Sequence, residues 1–166
     1  GWKLHPSLLT MEKANPDKKY KAAEVAKIFG MTAGKVAQMG QYIIPDNEAN
    51  GRGHHFSYSF RNLVEMRLQE ELGRFGVPQK RIQKYIVDLK GSRGQWLEES
   101  GQDGWVILDG AFRWAAGNDL GDAIKNLTHA MNVISLIAVD VGRIKQALRL
   151  SQEREVIETE AVILEA

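Results

Sequence analysis

Residues 20–40, YKAAEVAKIFGMTAGKVAQMG, constrain this chain more than any other stretch, because they read as two short helices joined by a tight turn. Val25, Ile28 and Phe29 recur at i, i+3 and i+4, which marks one inward face, while Glu24 and Lys27 point outward. Gly30 stands where a helix often ends on a left-handed residue, and Thr32 stands where a hydroxyl can cap the next helix, Ala33 to Met39. Val36 would anchor that second helix and leave Lys35, Gln38 and Thr32 outside, a polar set suited to phosphates and base edges in a major groove. Two helices joined this way also occur in proteins that never touch nucleic acid, so the stretch by itself leaves both readings open.

Composition narrows the choice. With 43% hydrophobic and 26% charged residues over 166 positions, the chain can bury one or two real cores. It has no Cys, which excludes a disulfide framework, a thiolate metal site and a thiol redox sensor. No run reaches the length of a membrane span, and the opening GWKLHPSLL lacks the apolar stretch of a signal peptide, so a cytoplasmic protein with no membrane partner is expected. The net charge of +1 hides an asymmetry: residues 1–95 hold 16 Lys and Arg against 9 Asp and Glu, and residues 96–166 hold 6 against 12. A front half at +7 suits a polyanion, and a back half at −6 should face away from it.

Read in order, residues 1–19 form an N-terminal arm around Pro6, Asn15-Pro16-Asp17 and Lys18-Lys19. After the two short helices, Ile43-Ile44-Pro45 and Phe56-Ser57-Tyr58 are expected to pair as a hairpin about a Gly- and Asn-rich tip, 46–53, which beside such a helix pair would be a wing. From Ser59, a plausible cap, Phe60, Val64, Leu68, Leu72 and Phe75 make an apolar helical stripe, with Asn62 to Glu71 on the solvent face. Gly76-Val77-Pro78 turns the chain into a second helix with Ile82, Ile86 and Leu89 inward, the two packing as an antiparallel hairpin.

The order of these features resembles the DNA-binding domain of the MerR family of transcription regulators over residues 20–90. The resemblance rests on Tyr20, Glu24-Val25-Ala26, the Gly-x-Thr turn, the Pro-stopped apolar segment, a Gly/Arg tip, Phe56-x-Tyr58, Asn62-Leu63 and the Gly76-Val77 corner before Ile82. It implies a winged helix-turn-helix whose second helix enters the major groove and whose wing grips flanking backbone, in a protein that binds promoters as a homodimer. Carried onto this chain, the DNA contacts are Lys21, Thr32, Lys35, Gln38, Arg52, His54, His55, Tyr58 and Arg61, although Tyr58 fits a place in the core equally well. Two departures matter. Met39-Gly40-Gln41-Tyr42 and His55-Phe56 stand where the family usually places Arg-bearing motifs, with Arg52 and Arg61 as the available substitutes. The long dimerising helix and Cys-bearing metal loop of typical members have no counterpart, so metal sensing does not carry across.

Beyond the hairpin, Lys90-Gly91-Ser92-Arg93-Gly94 is expected to break the helix and open a linker, 91–104. Residues 105–150 are expected to form a small dimerisation or effector domain: strand Trp105 to Leu108, the turn dipeptide Asp109-Gly110, a returning strand Ala111 to Ala115, and a short helix Asn118 to Asn126. The β-branched run Val133 to Val139 reads as a strand before a helix Val141 to Leu150 capped by Asp140, although one helix from Leu127 through Leu150 fits the same period. Residues 151–166 read as an acidic tail. The expected class is therefore α+β, a winged helix-turn-helix with a helical hairpin followed by a small α/β domain containing a β-hairpin.

No catalytic constellation is present in the pattern: there is no Gly-rich phosphate loop, no nucleophile with an evident base and no His-Glu-x-x-His. No cofactor is expected, and His54-His55 lack the spacing of a metal site. The expected partner is double-stranded DNA, with RNA polymerase or another protein reached through the C-terminal half. Two other readings stand beside the regulator: an excisionase-like factor that bends DNA, and an antitoxin-like or adaptor module whose acidic half binds a protein.

Overall fold

A computed structural model describes residues 18–40, 57–98, 101–111, 113–128 and 135–152. The chain is α+β with antiparallel sheets. Strand β1 (Tyr20–Lys21) leads into helix α1 (Ala22–Phe29), a turn, and α2 (Ala33–Gly40). Strand β2 (Ser57–Tyr58) then pairs antiparallel with β1, Tyr20 opposite Tyr58. The expected pairing of Ile43-Ile44 with Phe56 to Tyr58 falls largely outside the described residues; the partner found for Ser57 and Tyr58 is the strand that opens the unit.

Helix α3 (Phe60–Arg74) begins at Ser59, whose hydroxyl accepts from the Asn62 amide at 3.2 Å while the Asn62 side chain accepts from the Ser59 amide at 3.1 Å. This reciprocal cap satisfies two backbone donors that a helix start leaves open. Phe60, Val64, Leu68 and Leu72 are buried as the stripe requires, but Phe75 is 61% exposed because it lies past the last helical residue, in the corner. The supposed solvent face is a second correction: Asn62, Glu65 and Gln69 are all buried. Glu65 lies between helices, with its carboxylate accepting from the Asn62 amide group at 3.2 Å and 3.7 Å from the Lys90 ammonium. Periodicity registers apolar faces only, and here a polar stripe is covered as well.

Helix α4 (Gln79–Leu97) follows Pro78, whose carbonyl accepts from the Arg81 and Ile82 amides. It runs straight through Lys90 to Gly94, so the expected break is absent. The magnitudes explain why. Two helical Gly residues cost together about 2 kcal/mol relative to Ala. Burying Trp96 and Leu97, both 2% exposed or less, returns about 1.5–3 kcal/mol apiece. Packing outweighs propensity, and the helix continues until those two side chains are seated.

Strand β3 (Trp105–Asp109) is the centre of a three-stranded sheet, with β4 (Trp114–Gly117) and β5 (Leu136–Asp140) antiparallel on its two sides. The two-residue turn expected at Asp109-Gly110 is longer: Leu108 pairs with Trp114, and the Asp109 amide donates to the Arg113 carbonyl at 2.9 Å. The Asp109 carboxylate accepts from the amides of Ala111 and Arg113 at 3.0 and 2.8 Å, so a side chain closes the loop from within and moves the returning strand to Trp114. Helix α5 (Leu120–Thr128) starts on Asp119, which accepts from the Asp122 amide at 2.8 Å. After β5 comes the helix spanning 141–152, here α6, so strand then helix is the arrangement that forms.

Alternation along the strands divides the sheet. Val106, Leu108, Ala116 and Val139 face one large cluster, whereas Ile107 packs with Ala123 and Leu127 of α5. Gly117 sits so close to α5 that a Cβ there would lie 2.3 Å from the Ala123 nitrogen, which requires Gly. The large cluster runs from Tyr20 and Val25 through Leu63 and Ile86 to Ile144 and Leu148 without interruption. The front and back segments thus share one core.

Candidate nucleic-acid interface

The α1–α2 pair is built from a few local devices. Gly30 adopts φ 64°, the left-handed conformation that ends α1, and the Met31 amide donates back to the Ala26 carbonyl at 2.9 Å. Two residues on, the Thr32 hydroxyl accepts from the Lys35 amide at 3.1 Å and caps α2. Val25 and Val36 are fully buried and Met39 is 5% exposed, which fixes the rotation of α2 about its axis. Thr32, Lys35, Ala37 and Gln38 are consequently exposed on the outer side. Among the described residues no ion pair or hydrogen bond engages the Lys35 ammonium or the Gln38 amide group.

The base of this unit is the β1–β2 ribbon. Lys21 is exposed at the entry to α1, where its amide donates to the Glu24 carboxylate at 3.4 Å, and Lys18 stacks over the Tyr20 ring at 4.9 Å. Lys18, Lys19 and Lys21 therefore place three exposed cations beside the helix pair.

Two of the residues expected at a phosphate backbone, Tyr58 and Arg61, make contacts within the protein. Tyr58 is 3% exposed, with its hydroxyl packed against Gly40 so that a Cβ at that position would come within 2.6 Å. Burial pushes the Tyr58 phenol above its ordinary value. Its role is to set the end of α2 against the ribbon. The Arg61 guanidinium donates to Glu98 at 2.8 Å and lies 4.0 Å from Glu65, tying the start of α3 to the end of α4. Arg52, His54 and His55 lie outside the described residues. What is brought together is Thr32, Lys35 and Gln38 on α2, with Lys21 at the entry to α1.

Residues that sequence reasoning passed over fix the C-terminal helix in the core and tie its end to the ribbon. Lys145 on α6 is fully buried, its ammonium donating to the Gly101 and Gln102 carbonyls at 3.3 Å each. Gln152 at the end of α6 donates to the Tyr20 hydroxyl at 2.9 Å, and the Arg149 guanidinium lies 6.0 Å from the Phe60 ring centre. The exposed face of α2 therefore belongs to a unit buttressed by the last described helix. No protein-family model matches the sequence, and comparison with curated proteins gives no significant match.

Proposed function

We propose that this chain is a sequence-specific double-stranded DNA-binding transcription regulator of MerR-like type. In this reading α2 lies in the major groove, a wing between α2 and β2 follows the flanking backbone, and two copies engage paired half-sites as a homodimer. Lys35 and Gln38 read base edges or phosphates from the groove side, while Lys18, Lys19 and Lys21 neutralise backbone charge beside it. The C-terminal half dimerises, senses or recruits, and RNA polymerase or another protein is met through it.

The observation that carries this reading is the mounting of α2. An eight-residue helix with Val36 and Met39 as its buried anchors has its remaining surface turned outward, and that surface holds Lys35 and Gln38 uncommitted among the described residues. A short helix anchored from behind, with a cation and an amide group in front that have no partner among the described residues, matches what a groove demands.

The test is selection of bound fragments from a pool of random duplexes, repeated with Lys35→Ala and Gln38→Ala. A defined motif for the wild type, altered at one or more positions by each variant, is the expected outcome. An unchanged motif in both variants removes α2 as the reading element, and failure to bind any duplex in dilute buffer removes the function.

A further inference from the structure

Helix α6 meets Tyr20 of β1 and Phe60 of α3 with one side, and its outer side has the chemistry of a binding surface. Arg143, Gln146 and Arg149 lie at i, i+3 and i+6, and with Asp103, Asp140 and Gly142 they line an open polar cleft of about 390 Å³. The two carboxylates there already have work. Asp140 accepts from the Arg143 amide at 3.1 Å as the helix cap, and Asp103 stands 3.9 Å from the buried Lys145 ammonium. No ion pair among the described residues engages the Arg143 guanidinium, which is exposed.

Position gives this surface its meaning. Gln152 fastens the far end of α6 to Tyr20, within β1 and next to Lys19 and Lys21, and Arg149 packs over Phe60, next to β2 in sequence. The basic side of α6 thus starts at the ribbon that supports α1 and α2. From residue 143 to residue 149 a helix advances about 9 Å at 1.5 Å per residue. Measured along the duplex axis, that length passes about two to three phosphates of one DNA strand at about 3.4 Å per phosphate.

We infer that the Arg143–Gln146–Arg149 face of α6 is a second contact surface for the DNA backbone, prolonging the lysines of β1 along the flanking duplex. The inference rests on the DNA-binding reading. A duplex backbone is the occupant that fits, because the surface offers the Arg143 guanidinium fork and, one turn on, the Gln146 amide group, both exposed, with Arg149 held over Phe60 at the ribbon end, a spacing that suits successive phosphate oxygens. No apolar anchor of the kind a protein interface needs lines the cleft.

The experiment uses the full chain and a mixed-sequence 30-base-pair duplex as probe, with affinity measured by titration at a series of NaCl concentrations. Removing one phosphate-binding cation makes the slope of log affinity against log salt shallower by about 0.9. Arg143→Ala is expected to reduce the slope by about that amount, and Arg143→Lys to keep it, with circular dichroism melting unchanged in both. Lys35→Ala serves as the reference variant. A slope unchanged by Arg143→Ala but reduced by Lys35→Ala overturns the α6 surface alone. A slope reduced by Arg143→Ala but not by Lys35→Ala upholds the α6 surface and removes α2 from the interface. No binding by the wild type overturns both.

Discussion

Helices α2 and α3 are neighbours in one core and put their polar residues to opposite uses. In α2, two of eight residues are buried and the polar ones face out; in α3, nine of fifteen are buried, among them Asn62, Glu65 and Gln69. A polar side chain on α2 can change without disturbing packing. One on α3 is part of the packing. The difference follows from how many sides of each helix are covered: α2 rests on α1 and the ribbon, whereas α3 also has α4 against its polar stripe, shown by Lys90 and Glu98 reaching Glu65 and Arg61. Residue type alone therefore does not mark a binding surface; exposure of the type does.

The largest effect that probes this contrast is expected for Leu63→Ala. Leu63 is fully buried in α3, and a cavity there should cost about 2–5 kcal/mol. Urea unfolding would read this as a fall in midpoint at constant m value. Next is Glu65→Ala. Removing a buried carboxylate leaves Asn62 and Lys90 without their acceptor, and because Lys90 is 26% exposed and can rehydrate, about 2 kcal/mol is expected rather than the full cost of a broken buried pair. A Glu65→Ala variant as stable as wild type would show that the stripe is incidental and erase the distinction between the helices.

How much of this was legible in the sequence depends on whether the cause was local. Gly30, Thr32 and Ser59 act within three or four residues of themselves, and each turn or cap formed where its residue type indicated. The inward anchors Val25, Ile82, Ile86 and Leu89 followed from period alone. The failures were non-local. Nothing near Glu65 or Lys145 announces burial, because the groups that cover them come from Lys90 and from Gly101 and Gln102, at distances the local pattern does not span. The same holds for Tyr58, for which a backbone contact and a core place were equally open and which is found in the core against Gly40 and opposite Tyr20, and for the continuing α4, where Trp96 and Leu97 overrule two glycines.

Smaller effects sharpen the comparison at the turns. Thr32→Ala removes the hydroxyl that holds the Lys35 amide, and loss of such a cap is expected to cost about 1 kcal/mol, with Thr32→Ser restoring it. The β3–β4 turn uses the same device with a charged oxygen, so it adds a pH dependence. Burial acts to raise the Asp109 carboxyl, but the side-chain bond from Arg113 at 2.7 Å, with the Arg113 and Ala111 amides and the guanidinium charge, outweighs it and holds the group below its ordinary value. A lowered folded value means a contribution fully present above the unfolded value of about 3.9 and lost as pH falls through the folded one. Wild type should therefore lose stability below about pH 4 more steeply than Asp109→Asn. Parallel acid curves for the two proteins would show that the loop closes without its carboxylate.

The smallest expected effect on stability is also the most telling one for function. Lys35→Ala and Gln38→Ala alter exposed side chains with no partner among the described residues, so each should shift unfolding by no more than about 0.5 kcal/mol. Alanine is also the better helix former at both positions, which works against any loss. Melting of the two variants within error of wild type, beside a changed binding motif, separates the outer side of α2 from the skeleton that carries it. A drop of about 2 kcal/mol or more, on the order expected for the buried sites of α3, would mean that these residues hold the fold, and that α2 and α3 do not differ in the way their exposure indicates.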